Sequence, residues 1–154
     1  MKKVLLVFVL ALVAFTAKAQ LYVGGGVGFT AAGPSFAISP EVGYSFNDNM
    51  AAGAALNFGI GNGLFDFEVN PYFRMYFLDW GNVRFFADAH FNFSVISFNG
   101  GSTTTWGIGV RPGIAFPVND RFSIVTHIMQ IGYYNGGFDF SLNTGSTIGI
   151  YYNF

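Results

Sequence analysis

Residues 65–77 read FDFEVNPYFRMYF. Phe65, Phe67, Val69, Pro71, Phe73, Met75 and Phe77 hold the odd positions; Asp66, Glu68, Asn70, Tyr72, Arg74 and Tyr76 hold the even ones. Successive side chains of a strand point to opposite faces, so one face here is apolar and the other carries ions. The fold turns on which of the two is shut inside.

Composition narrows the answer. Lys2 and Lys3 precede an apolar run from Val4 to Phe15, and Ala17-Lys18-Ala19 follows. A basic n-region, a short h-region and an A-x-A site describe an export signal cleaved after Ala19. The run is too short for a spanning helix, which needs about 20 apolar residues. The expected division is therefore a signal peptide, 1–19, and one domain, 20–154. With the signal go all three lysines, leaving Arg74, Arg84, Arg111 and Arg121 against eight acids, a balance of −4. No basic stripe remains for nucleic acid. Only 10% of residues are charged, 20 are phenylalanine and 21 glycine. Soluble domains carry about 25% charged residues, so the chain is not expected to face water. There is no cysteine, hence neither a disulfide nor cysteine-linked lipid.

Period-2 alternation recurs in eight segments, near 20–30, 36–46, 50–60, 64–77, 82–96, 103–116, 121–134 and 145–154. Tight turn signals at 46–49, 79–82 and 117–120 alternate with Gly/Ser-rich links, the longest expected from Asn135 to Ser146. Short turns at one end and longer loops at the other predict an all-β, antiparallel up-and-down barrel of eight strands, both termini at the short-turn end. Sorted by parity, Glu41, Asp66, Glu68, Arg74, Arg84, Asp88, His90 and Arg111 share one face with many glycines and alanines. A soluble barrel would need that face as its exterior and would have to enclose most of the phenylalanines, more than eight strands can hold. In a transmembrane barrel the aromatics meet lipid, and small residues let a narrow lumen close around ion pairs. Asp66, Glu68 and Arg74 are thus expected inside, with aromatic girdles at both rims.

The chain ends TIGIYYNF. Thr147, Gly149, Tyr152 and Phe154 resemble the C-terminal assembly signal of bacterial outer-membrane barrels: polar, x, Gly, x, x, aromatic, x, aromatic. With the export signal and eight strands, the mature chain resembles the small OmpA/OmpX-type outer-membrane β-barrel proteins. The resemblance implies export, insertion into outer-membrane lipid by the barrel-assembly machinery and a non-enzymatic barrel. It departs from OmpA in stopping at the barrel.

Glu41, Glu68, Asp88 and His90 could be read as a metal or acid/base site, with His90 set opposite Glu68 or Asn70 across the 78–82 turn. Arg74, Arg84 and Arg111 on the same face favour a charge-paired packing network instead, with no catalytic residue, metal or cofactor. The seventh strand alternates poorly, and a bulge near Val125 would turn His127 to lipid, as a lipid-modifying enzyme would need; the ordinary reading is a lumen histidine opposite Arg111 or Val125. Phe138, Asp139 and Phe140 are candidate loop contacts for a surface ligand, or they rest on the membrane interface. The expected protein is a monomer with a filled lumen, structural or surface-binding, and the alternatives are a small-solute pore and, behind it, the lipid-modifying enzyme.

Overall fold

The computed structural model describes residues 20–30, 35–61, 63–142 and 148–154. They form ten strands: β1 (Gln20–Thr30), β2 (Ser35–Asn47), β3 (Met50–Gly61), β4 (Leu64–Trp80), β5 (Val83–Phe98), β6 (Gly101–Pro117), β7 (Phe122–His127), β8 (Met129–Tyr134), β9 (Gly137–Leu142) and β10 (Ile148–Asn153). Antiparallel pairing runs from β1 through β6. β7 and β8 pair successive parts of β6, and β9 and β10 lie against β8 and β7. β10 then pairs with β1, Gly24 facing Tyr151, and the sheet closes. The ten segments are the eight staves of an up-and-down barrel. Closure is what lipid requires, since hydrocarbon cannot satisfy the polar groups of an open edge.

Parity decides the faces as the alternation of residues 65–77 requires. Asn70, Tyr72 and Arg74 are buried, while Phe65, Phe73, Met75 and Phe77 are exposed, Phe77 at 61%. Leu21, Val23, Val27, Ile38, Val42, Ile108, Val110, Ile148 and Ile150 extend the apolar exterior around the wall. Aromatic side chains gather near both rims: Phe58 with Phe67 and Trp106 with Tyr133 at one end, and Tyr44 with Phe46 and Phe122 with Tyr152 and Phe154 at the other.

The interior closes by a repeated device. Tyr22 lies across Gly43, Tyr72 across Gly53, Phe86 across Gly113, Tyr134 across Gly107 and Tyr151 across Gly24, each ring over its direct cross-strand partner. A Cβ on any of the five glycines would come within 1.9–2.5 Å of the aromatic side chain. The missing side chain makes room for the neighbour's ring to lie flat on the backbone.

Three sequence expectations are corrected. The links at one end are not longer than those at the other: among the described residues, Asn99–Gly100 and Asn135–Gly136 are two-residue turns. Of the link expected from Asn135 to Ser146, the described part is instead a hairpin, its turn made by Asn135 (φ 50°) and Gly136 (φ 88°), and Gly137–Leu142 returns as β9; residues 143–146 lie outside the described residues. Positive φ at both central positions suits the right-handed twist of the paired strands. His90 faces Tyr72, not Glu68 or Asn70, because the turn after Trp80 holds only Gly81 and Asn82 and the ladder slips between Tyr76 and Leu78. The seventh strand does carry an extra residue, but it lies beyond Val125. Gly113 faces His127 whereas Val110 faces Ile131, so three residues on one strand span two on the other. His127 therefore stays inside, opposite Gly113 rather than Arg111 or Val125, and the parity change turns Tyr134 inward.

Candidate functional site: the charged centre of the lumen

Arg74 on β4 stands opposite Asp88 on β5, and the two form a fork of hydrogen bonds, Nε to Oδ1 at 2.7 Å and Nη2 to Oδ2 at 2.8 Å. Both side chains are almost fully buried. A two-pronged guanidinium–carboxylate contact is the strongest pairing available to such charges, and burial makes it obligatory. His127 Nε2 lies 2.8 Å from Asp88 Oδ2, so the carboxylate has partners from β4 and β7. Glu41 on β2 is 3.8 Å from Arg74 and accepts hydrogen bonds from Tyr72 and Tyr151. The hydroxyls of Tyr22 and Tyr72 are 2.5 Å apart. The Arg74 guanidinium is stacked on Phe86, 4.2 Å from the ring centre, with Tyr72 and Tyr151 at its flanks. Cation–π contact and ion pairing act on the same group.

Further along the lumen, Glu68 accepts from three asparagines, Asn57 and Asn70 on Oε1 and Asn92 on Oε2. Asp66 accepts from Ser94 at 2.5 Å. Arg111 donates to Asn70 Oδ1 at 3.3 Å. His90 Nε2 is bonded to the hydroxyl of Tyr134. Arg84 does not join this cluster. It lies at the mouth shared with Gln20 and Asn153, paired with the exposed Asp79 at 2.9 Å, donating to the Asp48 carbonyl and stacked on Tyr76. The slip at Tyr76–Leu78 sets Asp79 directly opposite Arg84 and gives it a rim partner.

Two cavities flank the centre. One, of about 190 Å³, lies on the side of Gln20 and Asn153 and is lined by Tyr22, Arg74, Tyr76, Arg84 and Tyr151 among others. The second, of about 470 Å³, lies on the other side and includes Glu41, Glu68, Arg111 and His127. Val125 and Tyr151 border both. Among the described residues no group of three or more His, Asp or Glu side chains is arranged to hold a metal ion.

Phe138, Asp139 and Phe140 are strand residues of β9. Phe138 faces Tyr133 and Phe140 faces Ile131, so both rings stand on the outer surface, while Asp139 opposes Gly132 on the other face. At the chain end Gly149 points inward between Gly26 and Val125. Tyr152 packs edge-on against Phe122 and Phe154 and receives a hydrogen bond from Arg121. Thr147 and residues 1–19 lie outside the described residues. Sequence reasoning missed the inward rings Tyr22, Phe86 and Tyr151. The signal was present: each shares parity with an ionised or glycine position already assigned to the lumen.

No protein-family model matches the sequence, nor does any curated protein. Solved structures do match the fold. The N-terminal β-barrel domain of Pseudomonas aeruginosa OprF superposes with a TM-score of 0.66 at 13% identity, over 88% of this chain and 96% of that one. Yersinia pestis Ail in a phospholipid bilayer nanodisc matches at 0.53 and 12%, over 89% and 100%. Neisserial surface protein A matches at 0.52 and 14%, over 88% and 96%. This chain has the fold of the eight-stranded outer-membrane barrels.

Proposed function

We propose that the chain is an exported, non-enzymatic outer-membrane β-barrel whose filled lumen makes it a structural element of the envelope rather than a channel. The observation that carries this is the centre itself. Arg74, Asp88, Glu41, Phe86 and the phenols of Tyr22, Tyr72 and Tyr151 occupy the section between the two cavities, and Phe86 and Asp88 are wholly buried. A barrel of eight strands has room for side chains and little else. An ion crossing it would have to displace a buried, forked ion pair.

In this reading the export signal is removed after Ala19, both termini lie on the periplasmic side, and the end of the last strand, with Gly149, Tyr152 and Phe154, is what the barrel-assembly machinery recognises. Two features favour a non-enzymatic protein: His127 is turned into the lumen onto Asp88, away from acyl chains, and among the described residues the apolar exterior carries no charged side chain at mid-wall. Phe138 and Phe140, on the outer face beside Tyr133, favour anchoring at the membrane interface over capture of a surface ligand.

Purified barrel reconstituted in planar bilayers tests the reading. The expected record is silent, or has rare small openings. Large, steady single-channel currents in the unmutated protein would refute it in favour of a small-solute pore.

A further inference from the structure

Asp88 has two possible arginine partners. Arg74 faces it from β4 and Arg111 faces it from β6. Arg74 takes both oxygens and His127 adds a third contact, and among the described residues no hydrogen bond or ion pair joins Asp88 to Arg111. Among the described residues no carboxylate pairs with Arg111. Among the described residues its one hydrogen bond is the long contact to Asn70, and its shielded Nε has no partner there. Glu68 is the mirror case. Three amides solvate it, but among the described residues no cation pairs with it. Asn70 holds the two charges apart, its oxygen toward Arg111 and its nitrogen toward Glu68. Both residues line the cavity of about 470 Å³.

We propose that this cavity binds small zwitterions of the amino-acid class, the carboxylate on the Arg111 guanidinium and the ammonium on Glu68. Charge balance selects the ligand. Among the described residues, the hydrogen-bonded network of the charged centre and the cavity holds four carboxylates, Glu41, Asp66, Glu68 and Asp88, against two guanidiniums, Arg74 and Arg111. A simple anion would satisfy Arg111 but add to a negative excess. A simple cation would relieve the excess but leave Arg111 without a counter-charge in a partly desolvated site. A zwitterion gives Arg111 and Glu68 a counter-charge each and adds nothing to the excess. The groups have the capacity: a carboxylate offers about four acceptor sites, of which Glu68 uses three, and a guanidinium takes a carboxylate on two parallel donors. The volume lies within the range of about 300–1,000 Å³ usual for small-molecule sites. The site is independent of whether the lumen conducts.

The test uses the full mature barrel in detergent micelles, with L-alanine as probe and acetate and methylammonium as single-charge controls at matched ionic strength, followed by ligand-observed NMR. Alanine is expected to bind saturably at millimolar concentrations, and acetate and methylammonium at least about tenfold more weakly. Arg111→Gln and Glu68→Gln should each weaken alanine binding about tenfold while the heat-modifiable folded band is retained. The comparison of probes on the unmutated barrel stands even where a variant fails to fold. Acetate binding as well as alanine would reduce the site to an anion site and overturn the proposal. Methylammonium doing so, or alanine showing no saturable binding, would overturn it equally.

Discussion

Replacing Arg74 by alanine removes a side chain that is 2% exposed and leaves Asp88, at 0%, with His127 as its remaining partner. Two charge-assisted hydrogen bonds go, each worth about 1.5–3 kcal/mol. Breaking one side of a buried pair costs about 3–5 kcal/mol, because the surviving charge has no counterpart. The stacking on Phe86 is lost as well, and Glu41 loses its nearest cation. A destabilisation of about 4 kcal/mol follows, which at an m-value of about 2 kcal/mol/M moves the urea midpoint by about 2 M. The double variant Arg74→Met, Asp88→Leu removes both charges and should lie within about 1 kcal/mol of the parent. Unfolding titrations in lipid vesicles, read by tryptophan fluorescence and by the heat-modifiable gel shift, measure all three proteins. A single variant costing under about 1 kcal/mol, or a double variant no better than the single, would refute the ion-pair account. In bilayers, Arg74→Ala should raise any residual conductance, since it widens the closed section.

Further expectations follow from other parts of the wall. Ala89→Arg, on the outer face between Phe73 and Val110, should cost about 2–4 kcal/mol in the same titration, and Ala89→Leu close to nothing; equal behaviour would reverse the assignment of faces. Gly43→Ala puts a Cβ 2.1 Å from the Tyr22 ring and should cost about 1–3 kcal/mol, with partial recovery on adding Tyr22→Leu. Intact-mass measurement of the exported protein should give a chain beginning at Gln20; retention of residues 1–19 would contradict the signal peptide. His127→Ala should leave the lipid profile of the host membrane unchanged, whereas loss of a lipid modification would establish the enzyme.

The faces were legible from local alternation because a strand's period is fixed by backbone geometry and every strand from Val23 to Ile150 obeys it between irregularities. The irregularities were not legible. The slips at Tyr76–Leu78 and between His127 and Ile131 each add one residue, and which residue bulges depends on contacts across the wall: Arg84 with Asp79 in one case, Asp88 with His127 in the other. The hairpin at Asn135–Gly136 was readable, since Asn-Gly favours positive φ at both positions and Phe138, Phe140 and Leu142 alternate with Asp139 and Ser141. The glycines around it favoured a loop reading. Within the centre, the sequence put the right residue types on one face but could not choose between Arg74 and Arg111 as the partner of Asp88. Both face it in the ladder, and the fork of hydrogen bonds goes to Arg74.

The rings lying over glycines also solve a problem that alternation leaves open. Shifting one strand by a single residue exposes its ions to lipid, and the penalty is immediate. A shift by two residues keeps every side chain on its proper face, so polarity cannot detect it. Sterics can. Moved by two along β2, Tyr22 would meet Glu41 or Ser45 instead of Gly43; along β3, Tyr72 would meet Ala51 or Ala55 instead of Gly53; along β6, Phe86 would meet Arg111 or Ala115 instead of Gly113. Each alternative presents a side chain where the ring must lie. The pairs act as keys cut for one offset between neighbouring staves, and the sum of those offsets is the shear that fixes the tilt and girth of the whole cylinder.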